Sequence, residues 1–333
     1  MKKLATFLFV AFAAALLFGA MYTLRWMHTP LDPPLELDLS QRAQPASAAQ
    51  PLAANPQQGN QKTCGNKGSM ALLVSGISMP EWRPVHGVGA VRLVKVDFDN
   101  SAVAVLDVPR ALFVEAEHLD LADKTALTVV YRMARDAATG NNPQVINRKA
   151  TQDMAQVLVD DFDYAPDHYV TVDPSKFVDL VDTLGGIDIN LSQPVDGTDD
   201  DLGYFSAGEQ HITGQRALDL LRILHPVGVA NPSVWQKFER QRVVTLGILS
   251  AMLAPANWDK LPEVVKDARQ MVVTDLSVDQ ALDLLCMVKE AGESADFQTV
   301  SPGIAQQISD EEVRIQDEQA VKELIQSYGS DKK

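Results

Sequence analysis

The chain has 333 residues, 46% of them hydrophobic, and a formal net charge of -15. Nucleic-acid phosphates need basic partners, so a chain this acidic argues against nucleic-acid binding, and the charge is read as serving the solubility of an exposed domain. Two cysteines, Cys64 and Cys286, without a CxxC pair or a Cys/His cluster, argue against a zinc site.

Residues 1–3 carry positive charge, and residues 4–24 (LATFLFVAFAAALLFGAMYTL) run almost without polar side chains. About 20 apolar residues span a bilayer as one helix. The basic start predicts a cytoplasmic N-terminus, a single-pass anchor over 1–26 and an extracytoplasmic remainder. A cleaved signal peptide is the rival account. Against it, the apolar stretch exceeds a typical signal core, and neither a small-x-small cleavage site nor a lipobox cysteine follows it. Over 27–68 the composition shifts to Pro, Ala, Gln, Asn and Ser without a regular period, which predicts a flexible tether.

A folded domain is expected over 69–328, followed by a polar tail over 329–333. Residues 70–74 (MALLV) read as a buried strand. Residues 91–98 and 102–108 read as a hairpin turning at Asp99-Asn100-Ser101. Pro109 ends the second strand, so Arg110 falls just past a strand end, where α/β sheets place their ligands. Residues 142–162 have helical spacing, and 168–173 alternate as a strand. Asp173-Pro174 starts a helix that ends at Gly185-Gly186, and Ile187, Ile189 and Leu191 alternate in the strand that follows.

The run Thr198-Asp199-Asp200-Asp201 is read as a solvated loop, because adjacent carboxylates point in different directions. Thr213 caps a helix through Ala217 and Leu220, and another helix runs over 234–253. Ser277 and Gln280 form a capping box. A strand near 297–300 and a helix over 312–328 complete the domain. Strands alternating with helices predict a layered αβα architecture around a central mixed β-sheet. Cys64 and Cys286 could pair outside the cytoplasm, or remain two unrelated thiols with Cys286 buried in a helix.

No GxGxxG, GxxxxGK[ST], HExxH or GxSxG motif occurs. What stands out is a set of polar residues at strand and helix ends: Arg110, Arg222, Lys237, Arg240 and Gln241. Lys237, Arg240 and Gln241 share one helix face, continued by Val244, Ile248 and Met252. A cationic head leading into an apolar lane suits a ligand with a phosphate head and a hydrocarbon tail. On spacing alone, an amphipathic helix with a solvated basic end is the simpler account.

The order of motifs along the chain adds to this. Leu106-Asp107-Val108-Pro109-Arg110 resembles the S-[IV]-P-R-D strand end of LytR-CpsA-Psr proteins. The stretch from Phe177 through Leu180 and Asp182 to Gly185-Gly186-Ile187-Asp188-Ile189 is similar to their F-x-x-[LI]-[IV]-D-x-[LI]-G-G-[IV]-x-[IV] segment. Gly208 and His211-Ile212-Thr213-Gly214-Gln215-Arg216-Ala217-Leu218 resemble G-x-x-x-L-[DN]-G-x-x-A-L. Arg222 matches the first arginine of R-x-R, and Lys237-Phe238-Glu239-Arg240-Gln241 resembles R-x-x-R-Q. The matches follow the family's order over roughly residues 70–253.

The resemblance implies a membrane-anchored protein of cell-wall assembly. Such proteins are similar to phosphotransferases that move a glycopolymer from a polyprenyl-pyrophosphate carrier to peptidoglycan. Arginines (here Arg110 and Arg222, with Lys237, Arg240 and Gln241) would bind phosphates, and a groove (Val244, Ile248, Met252) would hold the polyprenyl tail. Carboxylates would hold Mg2+.

The carboxylates depart from the pattern. G-x-D reads Gly76-Ile77-Ser78, R-S-D-T reads Gly87-Val88-Gly89-Ala90, the acid after Pro-Arg is Ala111, and the second arginine of R-x-R is Leu224. No metal ligands can be assigned, and Asp99 or Asp107 would have to substitute. Three accounts stay open: a glycopolymer phosphotransferase or polyprenyl-pyrophosphate hydrolase, a member that binds polyprenyl phosphate or another lipid without turnover, and an envelope protein with a filled core.

Overall fold

The computed structural model describes residues 28–39, 46–47, 64, 67–78, 87–119, 123–223, 226–228, 234–257, 259–291, 295–301, 303–309 and 312–328. The anchor expected over 1–26 and the tail over 329–333 lie outside these residues. Among the described residues no helix is long and apolar enough to cross a membrane.

The strands that matter for the site are β1 (Ser69–Ile77), β2 (Val88–Asp97), β3 (Ala102–Val108), β4 (His168–Val172), β5 (Ile187–Leu191), β6 (Gly208–Ile212), β7 (Val272–Thr274) and β8 (Asp296–Thr299). The helices are α1 (Leu127–Ala137), α2 (Pro143–Phe162), α3 (Phe177–Thr183), α4 (Gly214–Arg222), α5 (Val234–Leu253), α6 (Leu261–Met271), α7 (Val278–Ala291) and α8 (Glu318–Ser327). A six-stranded sheet runs in the order β7-β4-β1-β2-β3-β8. β4 lies parallel to β1 and β8 parallel to β3, while the other pairs are antiparallel, so the sheet is mixed.

Strand alternation builds the layers. Ala71 and Leu73 of β1 enter an apolar cluster with Leu127 and Val130 of α1, Met154 and Leu158 of α2, and Val321 of α8. Met70 and Leu72, one residue out of phase, pack on the opposite face with Met287 of α7. A third cluster is enclosed by α3 to α6 and the β5–β6 hairpin. The expected layered α/β domain with a central mixed sheet is therefore present.

Two helices were not anticipated. α1 (LTVVYRMARDA) opens with Thr128, Val129 and Val130, whose β-branched side chains read locally as strand. α6 starts beside Pro262, a residue tolerated only in a first helical turn. The helix expected from residue 312 starts at Glu318 instead. Glu312–Ile315 is a strand paired with Ala305–Ser309, which removes its residues from helix formation.

The tether expected over 27–68 is not free along its whole length. The Leu31 and Asp32 amides donate to the carbonyls of Leu276 and Thr274 at 3.2 and 3.0 Å, and Leu35 and Leu37 pack against the main cluster. Farther along, Cys64 is buried and joined by a disulfide to Cys286 of α7, with Cα atoms 5.7 Å apart. This stretch is therefore pinned to the domain at both described ends.

Buried Lys95 also escaped the sequence reading. It sits between Val94 and Val96 and donates to the carbonyls of Gln326 and Tyr328 at the end of α8. Burial lowers its pKa to about 8.

The α3–α4 contact depends on a glycine. The Gly214 amide donates to Asp182 Oδ1 at 2.7 Å, and a Cβ at this position would clash with the Val178 carbonyl oxygen and lie 2.9 Å from Val178 Cα. Gly214→Ala is expected to destabilise the fold by about 2 kcal/mol, the usual cost of overpacking. Denaturant titration checks this, and an unchanged midpoint would show that α3 yields without strain.

Candidate functional site: an apolar cavity with a cationic end

The C-terminal end of β1, the start of β2, and helices α3 to α6 surround a cavity of about 380 Å³. Apolar walls come from Phe177 and Leu180 of α3, Leu218 and Leu221 of α4, and Ala268 and Met271 of α6. α5 contributes a full stripe: Lys237, Gln241, Val244, Thr245, Ile248 and Leu249 all face the space. The opposite side of α5 rests on the β5–β6 hairpin through Gly247, where an added Cβ would lie 2.8 Å from the Asp188 carbonyl oxygen. Close backbone packing there sets how far the α5 stripe stands from the facing walls.

The cationic lining residues gather at one end. Lys237 and Gln241 are one turn apart at the start of the α5 stripe. Arg240 Nη2 donates to the Ile223 carbonyl at 2.6 Å, which ties the end of α4 to α5 at this level. Arg222, the last residue of α4 and part of the lining, therefore stands beside Lys237 and Gln241. Arg92 of β2 closes this end. Its Nε donates to Asp107 Oδ1 at 2.6 Å and its Nη2 to Gln241 Oε1 at 3.3 Å. Burial raises the Asp107 pKa, against the pull of the adjacent Arg92 guanidinium and of Arg242.

Of the residues singled out in the sequence, Arg222, Lys237, Gln241, Val244 and Ile248 come together around this space. Arg240 does not line it. It lies about 100° around the helix axis from Gln241, where it is buried and braces Ile223. Desolvation lowers its pKa to about 10. Arg110 is half-buried on the turn after β3, its carbonyl accepting from the Thr128 amide, and it too is outside the lining. Met252 packs in the same apolar cluster without facing the cavity. Arg92 is the residue the sequence reading missed. Its signal was a charge in phase with Val94 and Val96, on a strand face otherwise apolar.

The donors around the cavity do not fit a magnesium ion. Positions 78 and 89, where the resemblance expects acids, do face each other: a Cβ on Gly89 would lie 2.9 Å from Ser78 Oγ. Neither carries a carboxylate. Ala111 is fully buried in the main apolar cluster. Asp99 sits in the β2–β3 turn, at the far end of the strands, and accepts from the Gly68 amide at 3.1 Å. Asp107 is engaged by Arg92. Among the described residues no carboxylate lines the cavity, and no group of three His, Cys, Asp or Glu side chains could hold a metal. Leu224 lies outside the described residues.

The chain is 24% identical over 197 residues to the polyisoprenyl-teichoic acid–peptidoglycan teichoic acid transferase TagV of Bacillus subtilis, covering 58% of this chain and 46% of TagV. It is 27% identical over 147 residues to the corresponding transferase TagU of Bacillus cereus, covering 43% of this chain and 46% of TagU. The chain thus spans about half the length of the curated relatives it matches. Among solved structures, B. subtilis TagV superposes with a TM-score of 0.57 at 19% identity, covering 79% of this chain and 97% of that one. A LytR-Csp2A-Psr enzyme from Actinomyces oris gives a TM-score of 0.57 at 18% identity, covering 91% and 97%. These likenesses are of fold. The model of the LytR-CpsA-Psr (LytR_cpsA_psr) family matches residues 41–327, and the chain belongs to that family.

Proposed function

We propose that this protein acts in cell-envelope assembly by binding a polyprenyl phosphate or pyrophosphate, free or linked to a glycopolymer, on the outer side of the cytoplasmic membrane. One observation carries this reading: an apolar cavity whose lining ends in Arg92, Arg222, Lys237 and Gln241. A hydrocarbon tail gains about 0.8 kcal/mol for each methylene it buries along such walls. Guanidinium and ammonium groups at the cationic end meet non-bridging phosphate oxygens through charge-assisted hydrogen bonds. The basic start and apolar stretch of residues 1–24 support attachment to the membrane, and the disulfide supports an oxidising compartment.

A second reading is transfer of the polymer to peptidoglycan. It is favoured by the matched relatives, whose names state that activity. In such a step an acceptor hydroxyl forms the new P–O bond and gives up its proton to solvent, the bridging P–O bond breaks so that polyprenyl phosphate leaves, and cations at the cavity end neutralise the charge on the phosphoryl oxygens. The described donors do not supply magnesium ligands, so binding is the reading the geometry favours.

Titrating geranyl pyrophosphate into the full-length protein in lipid nanodiscs tests both. Arg222→Ala and Lys237→Ala are each expected to weaken binding by about tenfold, the size of a lost charge-assisted contact at a partly open site. Arg110→Ala, outside the lining, is expected to do less. Equal affinity in all three variants removes the cationic end from the site. Release of inorganic phosphate from the wild-type mixture would favour the second reading.

A further inference from the structure

Arg92 is a charge in an unlikely place. Its neighbours in phase on β2, Val94 and Val96, pack into the apolar cluster under α7. The residue paired directly opposite it on β3 is Asp107, which stands where the family motif has serine. A charge on an otherwise apolar strand face and a carboxylate at the motif's serine position therefore meet each other across one strand pair. Both side chains are largely withdrawn from solvent, 15% and 8% exposed. An ion pair so placed is costly to desolvate, and its retention needs a reason other than stability.

The geometry gives one. A guanidinium carries five N–H donors. Asp107 takes the Nε donor, which fixes the plane of the group, and Gln241 takes one donor from Nη2. The remaining donors have no protein acceptor among the described residues, and Arg92 lines the cavity. On the same strand, Gly89 and Ala90 also line it, with Ser78 across from them. This is the corner where the resemblance would place a divalent cation on carboxylates. A divalent cation held by two carboxylates adds no net charge to a site, and neither does an Arg-Asp pair. Both present electropositive groups in a fixed direction.

We infer that the Arg92 guanidinium, oriented by Asp107, takes the place of the metal at the phosphate end of this cavity, so that the chain binds a polyprenyl phosphate head without a divalent cation. The inference rests on the reading of the cavity as a phosphate-headed lipid site. Gln241, bridging α5 to Arg92, belongs to the same unit.

The experiment uses the full-length protein in nanodiscs and geranyl monophosphate as probe, measured by calorimetry in the presence of EDTA and again in millimolar magnesium. The two affinities are expected to agree within about twofold. Arg92→Met is expected to weaken binding by about 30-fold, the size of a buried charge-assisted hydrogen bond. The pair Arg92→Met with Asp107→Asn leaves no uncompensated carboxylate, and is expected to bind as weakly as the single variant while melting near the wild-type temperature. Arg92→Lys should recover only part of the affinity, since an ammonium cannot hold Asp107 and the phosphate with one planar fork. Affinity that requires magnesium, or that survives the loss of Arg92, overturns this inference and leaves the lipid site standing. The metal comparison needs no variant, so a folding defect cannot mask it. No binding by the wild-type chain in either condition overturns the lipid site and this inference with it.

Discussion

Replacing Ile248 with tryptophan lowers the affinity for a polyprenyl phosphate by about 100-fold: excluding three or four methylenes from an apolar groove costs about 3 kcal/mol. Ile248 sits near the apolar end of the α5 stripe, about two turns beyond Gln241 and three beyond Lys237. An indole there fills space that is otherwise open, so the fold itself should tolerate it and the melting temperature should move by only a few degrees. The binding and stability effects are thereby separated, which they would not be for Val244, a lining residue that is itself buried in the apolar cluster. Titration of geranylgeranyl phosphate into wild-type and Ile248→Trp protein, with thermal melting in parallel, checks this. Unchanged affinity would mean that the tail does not run along α5.

Removing the Cys64–Cys286 bridge, by Cys64→Ser with Cys286→Ser, destabilises the protein by about 4 kcal/mol. The bridge closes a loop across a sequence separation of 222 residues, and loop-closure entropy in the unfolded chain grows with loop length. Both ends lie on the α7 side of the sheet: Cys64 is buried there with Met70, Leu72 and Met287. Loss of the bridge also loosens the segment before β1, which is still held by the packing of Leu35 and Leu37, the hydrogen bonds of Asp38 with Gln156, the pairing of Ala46 and Ser47 with Tyr164 and Ala165, and the pairing of Leu31 and Asp32 with β7 and the residues after it. Urea titration of the oxidised wild-type and the double serine variant measures the difference. Coincident midpoints would show that these other contacts already confine the segment. The cavity lies on other elements, so lipid binding below the transition should be unaffected.

Much of the fold was legible because local and tertiary preferences agree. β1 is a short apolar run, the β2–β3 hairpin turns at Asp99-Asn100-Ser101, and Asp173-Pro174 caps a 3-10 turn over Pro174–Lys176 that leads into α3 at Phe177, which Gly185-Gly186, both with positive φ, closes. α1 was hidden because β-branched residues at its start favour strand until the helix is packed against α2. The strand at Glu312–Ile315 was hidden because its partner, Ala305–Ser309, shows no local signal of pairing.

The site divides in the same way. Lys237, Gln241, Val244 and Ile248 could be collected from helical spacing, because one face of an α-helix repeats every three to four residues. The same spacing wrongly grouped Arg240 with them: a stripe about 100° wide is ambiguous at its edges, and only the packing of α4 decided that this guanidinium braces Ile223. Arg92 and Asp107 stand fifteen positions apart, and nothing in either segment says that they meet. Strand register made them opposite each other, and α5 brought Gln241 onto the pair.

By itself, then, the amino-acid order determined the family, the layered α/β class, the apolar N-terminal stretch and the absence of acids at positions 78, 89 and 111, since all of these are properties of composition and local pattern. Only the tertiary structure decided that an open apolar space exists, which cations face it, and that an arginine held by a cross-strand aspartate stands at its polar end. Those are relations between elements far apart in the chain. They follow from how the α5 stripe, the β2 edge and the end of α4 are packed together, which no local propensity encodes.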